Sequence, residues 1–183
     1  MGFYGGKELA NAFRTVRNNT IQVAEDIPEQ QYSHVPAPDC RSVGRMLVHI
    51  ALTTDMVLEI LDRRKVTSFV GFNFIPMMET MKADEAKPRT KPQILEMLRK
   101  QHDEFGAWLE KLTPEFLSET VTMGDANTKS RFEMIGGAKE HEMHHRAQLM
   151  LIERQLGIVP HLTRQFHERL AKMQAQAQTV AKA

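Results

Sequence analysis

Cysteine is nearly missing from this chain, with a single residue, Cys40, among 183. One thiol excludes an internal disulfide framework and any Cys-rich zinc or iron–sulfur site. An excess of either charge is missing too: 24 Lys and Arg stand against 23 Asp and Glu, for a net charge of +1. Non-specific nucleic-acid binding draws on clustered excess positive charge, so no nucleic-acid partner is expected. Long apolar runs are also absent. The clusters around Met46–Leu61 and Phe69–Met78 are broken by polar residues well short of a membrane span. The first residues, MGFYGGKELANAF, lack the apolar core of a signal peptide. The expectation is a cytoplasmic protein with no membrane partner.

What is present is a hydrophobic share of 42% and a charged share of 26%, the balance of a globular protein. The length suits one domain over residues 1–183, large enough to bury a full core without staples. Eight His stand against the single Cys, so any metal chemistry here has to be histidine chemistry.

Pro and Gly punctuate the chain at Pro28, Pro36–Pro38, Pro76, Pro88, Pro92, Gly124 and Gly157–Pro160. Between these marks the apolar residues recur with helical period, and no segment shows clean strand alternation. The spacing predicts four long helices at about Lys7–Ile27, Ser42–Arg64, Lys91–Leu112 and Ser130–Leu156. A short fifth is expected at about Leu162–Met173, followed by a fraying Gln/Ala-rich tail over residues 174–183. The second helix is apolar along two lines, as in the interior of a bundle. The fold class is therefore all-α, a four-helix bundle with an additional short C-terminal helix. The crossing over Lys65–Thr90 carries Phe69, Val70, Phe72, Phe74, Ile75, Met77 and Met78. It is too apolar to lie free in solvent, and is expected to cover an end of the bundle or roof a pocket.

The stretch Lys139-Glu140-His141-Glu142-Met143-His144-His145-Arg146 carries the chemistry. His141 and His145 lie one turn apart and differ by about 40° in direction, on the stripe of Met134, Ala138, Leu149, Ile152 and Leu156. Each ring alone reads as a core histidine that needs a hydrogen-bond partner. Together, two inward imidazoles can bind one divalent cation. His49, on the second helix, is the first candidate for a third ligand, and His102, on the third helix, is the second. His34, His161 and His167 read as surface residues. Imidazole ligands suit zinc, nickel or iron.

His141-Glu142-Met143-His144-His145 also satisfies the HExxH signature of zinc metalloproteases, with Glu142 as general base. The metzincin extension would need Gly and His where Gln148 and Leu151 stand. A third ligand from Glu153 or Glu168 would be the remaining route to a protease, and no strand is expected that could receive a peptide.

Three blocks resemble the DinB family (DinB/YfiT-like metalloenzymes). They are Ile27-Pro-Glu-Gln-Gln-Tyr32 with Val35-Pro-Ala-Pro38, Ser42-Val-Gly-Arg-Met-Leu-Val-His49-Ile-Ala51, and His141-Glu-Met-His-His145-Arg-Ala-Gln-Leu149 with Leu156-Gly-Ile-Val-Pro160. The resemblance implies an up-down-down-up bundle, a divalent metal cation held by His49, His141 and His145, and homodimers. It further implies a metal-dependent enzyme acting on a small-molecule substrate, as a thiol S-transferase using a low-molecular-weight thiol or as a hydrolase. Glu142, Arg146 and His102 are the candidate catalytic helpers, and His144 is the neighbour of a ligand. The competing reading is a non-catalytic, metal-stabilised, stress-linked bundle, in which a fourth side chain would close the metal site.

Overall fold

Side-chain caps set the starts of the main helices. Ser42 accepts from the Arg45 N–H at 3.4 Å, and Ser130 and Glu133 exchange reciprocal bonds of 3.2 and 2.7 Å in a capping box. Thr90 and Gln93 do the same, with Pro92 in the first turn. In the computed structural model, which describes residues 4–180, seven helices follow: α1 Gly6–Asp26, α2 Val43–Leu58, α3 Ile75–Glu85, α4 Lys91–Glu110, α5 Pro114–Ser118, α6 Arg131–Gln155 and α7 His161–Val180. A π-helical turn, Glu59–Arg63, extends α2. None of the described helices is long and apolar enough to cross a membrane.

Helices α1, α2, α4 and α6 form a four-helix bundle in which α1 and α2 each pack between α4 and α6. The pairings give the directions. Gly6 meets Leu109 and Lys91 reaches Ile27, so α4 runs against α1. Gly44 meets Ile94 and Thr54 meets Gln101, so α2 and α4 are parallel. His49 meets His141, while Arg131 reaches Leu61, so α6 opposes α2. The order is up-down-down-up.

The core is divided. One apolar cluster holds Ile27, Leu47, Ile50, Leu98 and Leu149; the other holds Phe13, Leu61, Phe105, Leu109 and Ile135. Between them lies a layer of buried polar side chains from all four helices: Arg17, Thr54, Gln101, Glu142 and His145. This layer is where the candidate site sits.

Three elements differ from the sequence expectation. The Lys65–Thr90 crossing contains α3, whose Pro76 sits in the first turn. The crossing before α6 carries a β-hairpin, β1 Thr120–Thr122 paired antiparallel with β2 Thr128–Ser130, in which Val121 is fully buried. Asp125, Ala126 and Asn127 make its turn, with Ala126 at φ 65°. Phe69 N–H donates to Thr122 O at 2.7 Å, which pins the start of the α3 crossing to the hairpin. Finally, α7 is longer than expected. It runs unbroken through Gln174 to Val180, where fraying was anticipated, and residues 181–183 lie outside the described range.

Candidate metal centre

His49 on α2 and His141 and His145 on α6 each present one ligand atom within 4.8 Å of the others. The inward stripe of α6 and the second apolar line of α2 meet in the polar layer, which brings the rings together. His141 Nε2 lies 3.1 Å from His49 Nε2 and 3.1 Å from His145 Nε2.

The opposite nitrogens decide what those three atoms carry. His49 Nδ1 lies 2.6 Å from Glu85 Oε1, and the other Glu85 oxygen accepts from Arg41 Nε at 2.9 Å. Burial opposes ionisation of Glu85, but its bonds to Arg41 and His49 hold its pKa below the usual carboxylate range. An ionised carboxylate only accepts, so Nδ1 of His49 carries the proton and Nε2 is bare. His145 Nδ1 lies 2.8 Å from Gln148 Oε1. Gln148 donates through its amide nitrogen to His144 Nε2 at 3.1 Å, so its oxygen accepts from His145 and that Nε2 is bare as well. The Nδ1 of His141 is buried without a hydrogen-bond partner among the described residues.

All three rings are held neutral. Burial, then the charges of His145, His49, His144 and Arg41, push His141 down to about 4. Burial lowers His49 against the raising pull of Glu85, and lowers His145 against that of Gln148. Neutral imidazole is the form that binds metals. Lone pairs facing one another at 3.1 Å repel unless a cation or a shared proton lies between them. Two nitrogens on one tetrahedral zinc-type ion are about 3.3 Å apart, from bonds of about 2.0–2.1 Å. The residues therefore fit a divalent cation, and no fourth side chain joins the group among the described residues.

The other sequence candidates are not brought here. Glu142 turns towards α1, where its two oxygens accept from Arg17 Nε and a terminal Arg17 nitrogen at 2.9 and 3.0 Å. With both oxygens committed to a guanidinium, Glu142 is not placed as the general base of an HExxH site. Arg146 also faces α1, donating to Val16 O at 3.4 Å. His102 on α4 bonds its neighbour Asp103 and stands outside the group. Glu153 is buried apart from the three rings, and Glu168 is exposed on α7. His161, read as a surface residue, is buried, with its Nε2 on Asn19 Oδ1 at 3.1 Å, because the start of α7 folds back on α1.

Sequence reasoning missed Glu85. No helix was expected between Pro76 and Pro88, and the contact to His49 is tertiary and has no local signature. The role of Gln148 could have been found, since it lies one turn after His145 on the same helix. Helix α3 also walls a cavity of about 510 Å³, lined among others by Arg41, Arg45, Phe74, Met78, Lys82 and Glu85. The cavity borders the histidines through Arg41 and Glu85.

The sequence profile of the DinB superfamily matches residues 12–149, which include all three histidines. The chain belongs to the DinB superfamily. This DinB chain is 22% identical over 152 residues to YjoA of Bacillus subtilis, covering 82% of this chain and 90% of that one. The crystal structure of YjoA superposes with a TM-score of 0.62 at 20% identity, over 82% and 92% of the two chains. YfiT, also from Bacillus subtilis, superposes with a TM-score of 0.66 at 16% identity, over 86% and 91%. It is described as a probable metal-dependent hydrolase with an unusual four-helix bundle topology. At these identities the likeness carries the fold.

Proposed function

We propose that this DinB protein is a divalent-metal-dependent enzyme acting on a small molecule, with His49, His141 and His145 as the metal ligands and hydrolysis as its reaction. The observation that carries this reading is the convergence of three neutral rings, two of them with Nε2 left bare by Glu85 and Gln148, with no fourth donor among the described residues. Structural metal sites close their coordination with a fourth protein ligand, while catalytic ones keep a position open. That difference favours an enzyme over a metal-stabilised bundle. A bound divalent cation supplies Lewis acidity and lowers the pKa of a water or thiol in its open position.

The chain's own residues bind and orient. Glu85, anchored by Arg41, fixes the tautomer and plane of His49, and Gln148 fixes those of His145. The neighbouring cavity is of a size for a small-molecule substrate. The likeness to YfiT supports hydrolysis. A low-molecular-weight thiol would use the same open position for S-transfer.

Elemental analysis of protein purified without added metal is the test. Stoichiometric divalent metal is expected in the wild type, with loss of it in His49→Ala and in His145→Ala. Retention of metal in both variants would sink the three-histidine site. With metal present, ester and amide substrates are compared with a thiol-plus-electrophile panel, before and after chelation. Turnover that chelation abolishes assigns the reaction; loaded protein inert on both panels returns the site to a structural role.

A further inference from the structure

Helix α3 turns one continuous face to the 510 Å³ cavity beside the histidines. Phe74, just before the helix, and Met78, Met81 and Glu85 within it follow at intervals of 4, 3 and 4 residues, along one stripe. Glu85 closes the inner end of that stripe, on His49. At about 1.5 Å of rise per residue, Met78 stands about 10 Å and Phe74 about 16 Å out from Glu85. Phe74 is 37% exposed, Met78 49% and Ile75 65%, so the outer part of the cavity is bare apolar surface. The loop Asp39–Arg41 and Arg45 of α2 supply the rest of the lining.

Charge is placed unevenly along this cavity. Arg41 is taken up by Glu85, while the other ion pairs of α3 join Asp84 to Lys87 and Arg89. Arg45 and Lys82 stand outside these pairs, and both are exposed. Arg45 precedes His49 by one turn and Lys82 precedes Glu85 by three residues, so both cations belong to the inner end. Two acids of the lining remain. Asp39 lies in the loop, two residues before Arg41. Glu79 is about 9 Å out from Glu85 along α3 and turned about 120° from it, towards the rim. The inner end therefore carries Arg41, Arg45 and Lys82 against Glu85 and Asp39, and the outer end carries Glu79 among apolar side chains. A sugar or another wholly polar ligand would leave the surface of Phe74, Ile75 and Met78 uncovered. A cationic amphiphile would set its head against Arg45 and Lys82. An anionic head with an apolar tail matches both ends.

We propose that this cavity selects an amphiphilic carboxylate, its head at Arg45 and Lys82 and its chain along Phe74, Ile75 and Met78. These residues then set the substrate class of the neighbouring metal centre. That role as substrate selection rests on the metal-enzyme reading, whereas recognition of the head and the chain belongs to the cavity alone.

Isothermal titration calorimetry of the full chain tests this with hexanoate, octanoate and decanoate below their micelle concentrations, with metal and after chelation. The Kd is expected to fall about 2–4-fold for each added methylene, in both forms of the protein. Decyltrimethylammonium, the same chain with the charge reversed, should bind at least about 10-fold more weakly than decanoate. Arg45→Gln combined with Lys82→Gln should weaken decanoate by about 10-fold and keep the dependence on chain length. Met78→Glu should flatten that dependence. All three side chains are exposed, so both variants should melt as the wild type does and retain its metal content. A Kd indifferent to chain length, or decyltrimethylammonium bound as tightly as decanoate, would overturn the proposal. So would decanoate affinity unchanged in either variant, which would place the binding on another apolar surface. Decanoate binding that chelation abolishes would mean that the carboxylate only ligates the metal, and would overturn it too. A chain-length series that persists in a protein holding no metal would uphold the cavity and sink the metal-enzyme reading alone.

Discussion

His145 and Glu142 stand three residues apart on α6, and both are buried in the layer that divides the core. They face different neighbours and meet burial in opposite ways. Glu142 looks to α1 and is answered there by Arg17, itself 0% exposed, through two parallel charge-assisted bonds. His145 looks to α2 and, like His49, turns a bare Nε2 towards the Nε2 of His141. Glu142 has a complete set of partners and needs nothing further. The histidine cluster is completed by a cation or by a shared proton between its nitrogens. A buried polar cluster that lacks its complement is the one to read as a site, and this holds even though HExxH would have assigned both residues to a single active centre.

The strongest way to break this comparison is Glu142→Ala. Arg17 would be left buried and unpaired, so we expect a loss of about 3–5 kcal/mol of stability by urea denaturation, while the folded fraction keeps its metal affinity. Arg17→Met with Glu142→Leu should recover most of that loss, because a packed apolar pair carries no desolvation cost. If Glu142→Ala were instead stable and devoid of metal or turnover, Glu142 would belong to the site after all.

How much of this was legible follows from where the information lies. The bundle could be read from helical period and caps, because Ser42, Thr90 and Ser130 act through neighbours within three residues. The inward direction of His141 and His145 follows from the same period. The partner of Glu142 could not be read, since Arg17 is 125 positions away and no local rule links them. The hairpin was half visible: Gly124, Asp125 and Asn127 announce the turn, but Thr120-Val121-Thr122 is too short for alternation to register. The crossing that became α3 reads as apolar without an obvious inward face, because it lies across α2 and leaves Phe74, Ile75 and Met78 exposed.

The comparison is sharpened at Glu85, which does for His49 what Arg17 does for Glu142 but from outside the layer. Glu85→Ala should weaken metal binding by about 10–100-fold in a chelator competition, the usual effect of removing a ligand's hydrogen-bond partner. Glu85→Gln, which can still accept from Nδ1 but lacks the charge, should fall between. Arg41→Ala is expected to weaken binding less, because it acts one step further out. An unchanged affinity in Glu85→Ala would mean that the bundle alone orients His49.

The smallest effect is expected at Glu153, on the α1 side of α6. It is 0% exposed, and neither carboxylate oxygen has a hydrogen-bond partner among the described residues. Burial and then the Asp26 carboxylate push its pKa up to about 7, against the pull of Arg164 and Arg154. An acid whose pKa is higher folded than unfolded favours the fold while protonated. That contribution is complete below the unfolded value of 4.5 and is lost as pH rises through about 7. Replacing the acid by its neutral isostere removes the titration, so Glu153→Gln should match the wild type near pH 5 and exceed it near pH 8, by something on the order of 1 kcal/mol. The buried histidines titrate in the opposite sense, but they are present in both proteins and cancel in the difference. A Tm difference that stays flat with pH would show that Glu153 finds a partner in solution, and that the α1 side of α6 is as fully paired at Glu153 as it is at Glu142.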